Sequence, residues 1–358
     1  RLLELAQLAK ANQMALTVES EEAERLMLLL DVFGGVIMDP SLKGWNGLGK
    51  ALQTYQKRAP AVIDLLAELS ARSGQRIPLR LVKGAYWDTE IKHAQVEGFD
   101  GYPVFTRKAN TDVSYIACAR RVLSLRQAFY PQFATHNAHT ISAVTELAGN
   151  RLDYEFQRLH GMGRDLYGVV MKEPGFRHAC RVYAPVGRHE DLLPYLVRRL
   201  LENGSNTSFV NRISDVSLSV DSLVEDPIAR VAGTKPVYHP AIPLPRDLYG
   251  DERVNSSGVN LDSEHEVLAL ARRMQAFARR RWDVEPIVAG KLKTGQDKNH
   301  ADNIDPGRTT DTVGHVREAT LEEVEQAIAD AREFQPQWDR LRGGERAGML
   351  ERAADLLE

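Results

Sequence analysis

Two arginines stand side by side in the run Asp191-Leu-Leu-Pro-Tyr-Leu-Val-Arg-Arg-Leu-Leu-Glu-Asn-Gly204. Adjacent guanidiniums offer planar forks of donors, so together they can grip a small carboxylate through several charge-assisted hydrogen bonds. The run reads as a helix over 191–203, with Pro194 in its first turn and Gly204 at the C-terminal cap. At helical spacing Leu193, Leu196, Val197 and Leu200 make an apolar stripe expected to pack on the layer beneath. Tyr195, Arg198, Arg199 and Glu202 make the opposite, polar face. That face is either a ligand clamp or a solvated surface carrying a Glu–Arg pair.

The other chemically equipped residues cluster at the ends of apolar runs. Arg80 interrupts Leu79-Arg-Leu-Val, and Lys83, Gly84, Ala85, Tyr86 and Trp87 follow directly. Gln53 ends a second run, His136 and Asn137 a third, Gln157 and His160 a fourth, and Tyr183 lies in a fifth. A guanidinium inside an apolar run needs a partner if it is buried. Arg80 therefore sits in a structural salt bridge or meets a polar ligand. A metal-dependent hydrolase is a rival reading, because His136, His139, His160, His178 and His189 are at hand. However, His136-Asn-Ala-His139 lacks the i, i+4 spacing that sets two imidazoles on one helical face, and the acidic ligands expected beside the histidines are not obvious. Gly161-Met-Gly163 has no third glycine in register, so no nicotinamide-binding fingerprint is present.

These groups need a frame, and the pattern supplies one. Strand-like runs at 14–19, 50–55, 79–85, 132–136, 154–159 and 181–185 alternate with helical patterns at 21–33, 61–73, 111–129, 141–148 and 191–203. Such alternation implies a parallel sheet with helical crossovers. Six units suit a (β/α)8 TIM-like barrel that is incomplete, its first two strands missing; an open doubly wound sheet fits the pattern too. The reacting groups of such a barrel stand at the C-terminal strand ends. The alternation stops near residue 211. A proline-rich stretch, 212–261, reads as a linker. Residues 262–358 then bring helical patterns at 263–281, 322–332 and 345–357, with a loop-rich stretch at 291–308 preceding 310–318.

Bulk properties narrow the classes. Of 358 residues, 43% are hydrophobic and 27% charged, and the net charge is -3, which gives no electrostatic case for nucleic acid or an anionic membrane surface. Two cysteines fit a reducing, cytoplasmic setting. No apolar run reaches the length of a membrane span. The chain opens and closes inside helix-like patterns, so neither end reads as a natural terminus.

Five segments resemble the proline dehydrogenase family in order and spacing: Arg80-Leu-Val-Lys-Gly-Ala-Tyr-Trp87, Tyr130-Pro-Gln-Phe-Ala-Thr-His-Asn-Ala-His-Thr140, Tyr154-Glu-Phe-Gln-Arg-Leu-His-Gly-Met-Gly163, Arg181-Val-Tyr-Ala-Pro-Val-Gly187 and Tyr195-Leu-Val-Arg-Arg-Leu-Leu-Glu-Asn203. Together they cover roughly residues 12–212, and five long motifs in register are far more specific than one short pattern. Asn303-Ile-Asp-Pro306 through Val313-Gly-His-Val316, then Ala319-Thr320, Trp338 and Glu345-Arg-Ala-Gly-Met-Leu350, resemble the opening of aldehyde dehydrogenases. The combination is similar to the bifunctional proline utilisation A family. The expected domains are a partial flavin barrel (1–211), a linker (212–261) and the N-terminal part of an aldehyde dehydrogenase domain (262–358).

The resemblance implies roles residue by residue. Arg198 and Arg199 take the carboxylate of L-proline. Tyr183, Tyr86 and Leu159 form the substrate pocket, and Tyr195 supports it. Arg80 and Gln53 meet the ring of FAD. Val82, Lys83, Gly84, Ala85, Trp87, Ala134, His136 and Glu202 line the rest of that cofactor, with Thr106 and Lys108 at its outer half. Glu19, in Glu19-Ser-Glu-Glu, stands where the family commonly has Asp before Ala-Glu-Glu; it keeps the carboxylate but reaches one methylene further. The implied reaction is oxidation of proline to 1-pyrroline-5-carboxylate, with electrons passed to a membrane quinone. The second domain, when complete, would use NAD to oxidise glutamate semialdehyde to glutamate. Peripheral membrane association and a homo-oligomer are the implied partners. DNA enters only if a preceding domain supplies it. A barrel acting as a non-catalytic scaffold is the alternative.

Overall fold

The computed structural model describes residues 1–204, 219, 224–292 and 300–357, and it divides into two compact units, Arg1–Glu264 and His265–Glu358. In the first unit six strands form one all-parallel sheet in sequential order: β1 (Leu16–Val18), β2 (Leu48–Gln53), β3 (Ile77–Val82), β4 (Phe129–Ala134), β5 (Glu155–Leu159) and β6 (Ala179–Tyr183). The helices are α1 (Leu2–Ala11), α2 (Leu26–Ile37), α3 (Ala59–Ser73), α4 (Trp87–Val96), α5 (Lys108–Ser124), α6 (Ala138–Ala148), α7 (Arg164–Val170) and α8 (His189–Gly204). The sheet is a curled half-barrel of the (β/α)8 kind, as the strand–helix alternation implies.

Strand alternation sorts the side chains by face. Leu79, Leu81, Phe133 and Phe156 join the apolar layer with Val62, Ile63 and Leu66 of α3 and with Tyr115, Cys118 and Val122 of α5. The opposite face is polar. Parallel register sets Ala51 beside Arg80, Arg80 beside Gln132, and Gln132 beside Glu155. Glu155 is almost fully buried and accepts from Gln132 at 3.0 Å, Gln157 at 2.8 Å and Arg181 at 2.8 Å. Burial pushes its carboxyl upward, but Arg181 and Gln157 outweigh that and hold it below the usual range.

Several boundaries differ from the sequence reading, for identifiable reasons. Lys83, Gly84 and Ala85 lie beyond β3, because Gly84 takes φ +141° and breaks the extended path. Helix α2 begins at Leu26, after the acidic run that opens 21–33. Phe129 belongs to β4 and not to the preceding helix, which ends at Ser124. Helices α4 and α7 were not expected; α4 mixes polar and apolar residues too evenly to announce a stripe, and α7, seven residues long with Gly168 inside it, is too short to show a period. Helix α8 starts at His189, so Pro194 is interior to it.

Residues 224–264 lie on the first unit. Within them α9 (Pro227–Ala232) begins at Asp226, whose side chain caps it. Tyr102 donates to Pro243 O at 2.7 Å, Asn255 to Gln95 O at 3.0 Å, and Arg107 to Tyr238 O at 2.8 Å. The stretch is thus hydrogen-bonded along α4 and the segment before α5.

The second unit holds α10 (Glu264–Ala278, reaching in from its boundary), α11 (Leu321–Arg340) and α12 (Gly343–Leu357), with strands β7 (Trp282–Val284), β8 (Ile287–Val288), β9 (Lys291–Leu292), β10 (His300–Ile304) and β11 (Thr312–Arg317). These form a sheet ordered β10–β11–β7 and a two-stranded pair of β8 and β9. Strands β9 and β10 fall where a loop-rich stretch was expected. Thr320 and Glu323 form a capping box on α11, and Arg317 bonds both Glu285 at 2.8 Å and Glu323 at 2.9 Å. No helix among the described residues is long and apolar enough to cross a membrane.

Candidate active site

The carboxyl ends of β1, β2 and β3 are joined by polar side chains. Arg80, mostly buried, ion-pairs with Glu19, and its guanidinium lies 5.5 Å from the centre of the Tyr183 ring. Burial lowers its pKa, opposed by Tyr183 and Tyr195. Its Nε is buried without a hydrogen-bond partner among the described residues. Gln53 donates to Ser20 O at 2.9 Å and to Glu21 O at 2.7 Å, and accepts from Ala85 N at 3.3 Å.

Helix α8 is turned the opposite way from the expectation. Leu193, Leu196 and Val197 are exposed, whereas Tyr195, Arg198 and Arg199 are half-buried. The amphipathic rule places the apolar stripe inward. Here the inward direction meets the polar ends of a barrel sheet, and arginines with aromatic partners suit that surface better than leucines. The Arg198 guanidinium lies 5.2 Å from the Tyr86 ring centre, and Arg199 lies 5.2 Å from that of Tyr195. Burial pushes the Tyr86 phenol up to about 12; a hydrogen bond to Glu21 adds to the rise, and Arg198 and Arg199 oppose it. Glu202 lies on α8 in a stretch whose side chains fall outside the described residues.

Further round, His136 Nε2 accepts from Leu159 N at 3.1 Å. Burial lowers its pKa to about 4, with Arg199 and Arg158 adding to the effect, so the imidazole is neutral. Leu159 is buried at the end of β5, Ala134 ends β4, and Val82 ends β3. Arg80, Tyr183, Tyr195, Arg199 and His136 thus form a continuous set of neighbours.

A second cluster lies past β3. Lys83 bonds Asp112 at 2.5 Å, and Lys108 approaches the same carboxylate at 3.3 Å. Trp87 donates to Phe105 O at 2.8 Å, and Thr106 accepts from His239 N at 3.0 Å. Gly84 runs against Tyr55, since a Cβ there would stand 2.4 Å from the ring. Lys83 and Lys108 therefore have a protein carboxylate of their own.

Sequence reasoning missed four members of this network: Ser20, Glu21, Lys50 and Asp112. Glu21 and Asp112 sit in ordinary-looking acidic helix starts, and Ser20 contacts its partners through backbone and a single hydroxyl. Lys50 did leave a signal, a lysine inside the apolar run Leu48-Gly-Lys-Ala-Leu52. Among the described residues no three His, Cys, Asp or Glu side chains gather as a metal site.

The donor set fits an anionic or acceptor-rich ligand. Among the described residues neither Arg80 Nε nor Arg198 Nε, both buried donors, has a hydrogen-bond acceptor.

A family model described as proline dehydrogenase matches residues 1–212, and one described as the aldehyde dehydrogenase family matches residues 293–358. The bifunctional protein PutA of Salmonella typhimurium is 49% identical over 100% of this chain, which spans 28% of that protein. A crystal structure of a mutant of Bradyrhizobium japonicum proline utilization A matches with TM-score 0.85 at 45% identity, covering 99% of this chain and 33% of that one. A structure of proline utilization A with proline bound in remote sites matches with TM-score 0.84 at 45% identity, covering 100% and 33%. The chain belongs to the proline dehydrogenase family, in the arrangement of the bifunctional PutA proteins, where the start of an aldehyde dehydrogenase region follows the barrel.

Proposed function

We propose that this chain carries the proline-oxidising site of a bifunctional proline-catabolic enzyme, converting L-proline to 1-pyrroline-5-carboxylate with FAD. The observation that carries the reading is Arg80: a mostly buried guanidinium, paired with Glu19, set over the Tyr183 ring, and holding an Nε for which no described protein group is an acceptor. A buried donor of this kind is costly unless a ligand completes it.

In this reading Arg198 and Arg199 take the substrate carboxylate, each already oriented by an aromatic ring. Tyr183, Tyr86 and Leu159 enclose the pyrrolidine ring and exclude water from it. Tyr195 holds Arg199 in place. Arg80 and Gln53 meet the ring system of the cofactor. Val82, Lys83, Gly84, Ala85, Trp87, Ala134, His136 and Glu202 line its remainder, with Thr106 and Lys108 outermost. When bound, FAD supplies the hydride acceptor, and a membrane quinone is the final electron sink. Proline gives up its amine proton to bulk water before the pocket encloses it. The region after the barrel is the start of the domain that, in the complete protein, oxidises glutamate semialdehyde with NAD. We place the protein in the cytoplasm, peripheral to the membrane that holds the quinone.

The test is anaerobic addition of proline to the complete purified protein. A yellow preparation whose flavin absorbance bleaches supports the reading. A colourless preparation, or a flavin spectrum indifferent to proline, overturns it.

A further inference from the structure

Lys50 is fully buried, yet none of the roles above uses it. By the two-residue period of β2 it shares a face with Leu48 and Leu52, both part of the apolar layer. Its ammonium donates to three oxygens, Ser20 Oγ at 2.6 Å, Ala51 O at 3.1 Å and Val18 O at 3.4 Å. All three are neutral. A buried ammonium without a carboxylate is a poor way to fill a core, since a leucine would do so without the desolvation penalty. Packing therefore does not account for it.

The residues it holds do. Strand β1 is only three residues long, and its ladder with β2 ends at Val18 beside Lys50. The segment beyond, 19–22, has left the ladder but carries much of the site. Glu19 pairs with Arg80, and the carbonyls of Ser20 and Glu21 receive Gln53. Gln53 in turn accepts from Ala85 N. The Lys50 bonds to Val18 and Ser20 bracket Glu19 on both sides.

We propose that Lys50 is a positioning residue: through Ser20 it fixes segment 19–22, and so sets Glu19 against Arg80 and Gln53 against Ala85, the groups that meet the cofactor. The proposal rests on the functional reading above, and its test separates the two.

The test uses the complete flavin-loaded protein as Lys50→Met, Ser20→Ala and the double variant. Hydrogen–deuterium exchange should rise at residues 19–22 and at Ala85 by about tenfold, the equivalent of one hydrogen bond. Core amides of β3, β4 and β5 should be unchanged. Both single variants should perturb the flavin visible spectrum in the same direction and slow its reduction by proline, Lys50→Met at least as much as Ser20→Ala, since it also removes the bonds to Val18 and Ala51. The double variant should be no worse than Lys50→Met alone, because the one bond that Ser20→Ala cuts is among those that Lys50→Met already removes. Unchanged exchange at 19–22 and Ala85 overturns the proposal. So does raised exchange with a parental spectrum and reduction rate. If Lys50→Met does not fold, Ser20→Ala decides alone, since it removes a single hydroxyl. If the parent flavin is not reduced by proline, the functional reading fails, while exchange and spectrum still decide the role of Lys50.

Discussion

His136 Nε2 receives the backbone N–H of Leu159 across 3.1 Å, so the end of β5 is tied to an imidazole that must be neutral to accept. Burial holds that imidazole's pKa at about 4, well under its ordinary 6.5. Between those values the unfolded chain binds the proton and the folded chain does not. Unfolding free energy therefore rises with pH across this window and is lost as pH falls from 6.5 towards 4. A shift of this size corresponds to about 3 kcal/mol. Urea midpoints measured from pH 7 to pH 4 should decline steeply for the parent and less for His136→Gln. Parallel slopes would show that His136 is not the group responsible.

Arg198 and Arg199 differ in their aromatic partners but share the proposed task. Removing either guanidinium should weaken proline binding by about 1.5–3 kcal/mol, the range for a hydrogen bond to a charged group. Neither Arg198→Ala nor Arg199→Ala should displace FAD, because Arg80 and Gln53 belong to other elements. The check is a proline titration of the flavin spectrum together with the flavin-to-protein ratio. Proline affinity unchanged in both variants removes the clamp.

The order of the six strands was legible because each is an apolar run between polar turns, and parallel strands covered on one face by helices retain that signature. The orientation of α8 was not. Leu193, Leu196 and Val197 form a proper stripe, and nothing local says that the layer below is a polar barrel mouth. Tertiary context reversed the rule there. Arg80 was legible as an anomaly, a cation inside an apolar strand, although its partner Glu19 is distant in sequence and was assigned separately. Lys50 presented the same anomaly but drew no reading, because the run was expected to begin at residue 50, which set the lysine at the strand's entry, whereas β2 begins at Leu48. Helix α4 was hidden because Trp87–Val96 buries Glu90 and Gln95 along with Ile91 and Ala94, so polarity does not mark its outer face.

Gly84 combines φ +141° with a Cβ direction that ends 2.4 Å from the Tyr55 ring. Alanine here meets both backbone strain and a clash with a buried aromatic, and the flexible relief of a long side chain is absent. Gly84→Ala should lower stability by about 1–3 kcal/mol and reduce the FAD content of purified protein, since Ala85 and Gln53 are displaced with it. A melting temperature and flavin ratio equal to the parent would show that the loop gives way freely.

Lys50 makes a prediction at the alkaline end. Burial alone lowers its pKa from 10.5 to about 8. From pH 8 to 10.5 the unfolded chain keeps the proton and the folded chain releases it, so this residue's contribution to stability rises with pH, by about 3 kcal/mol over the full window. Other groups run against it. Tyr86 and Tyr154, pushed up to about 12, and Cys118, pushed up to about 11, stay protonated in the fold after the unfolded chain has lost those protons. Their contribution falls as pH passes the ordinary values. The quantity to measure is therefore the difference between the parent and Lys50→Met in urea midpoint, point by point from pH 7 to 10.5. The variant should be favoured most near pH 7, where the parent holds a buried charge. Its advantage should shrink towards pH 10.5, where the parent's lysine is neutral. A difference that stays flat with pH would mean that Lys50 keeps its proton in the fold, stabilised by Ser20, Val18 and Ala51 more strongly than their neutral oxygens account for.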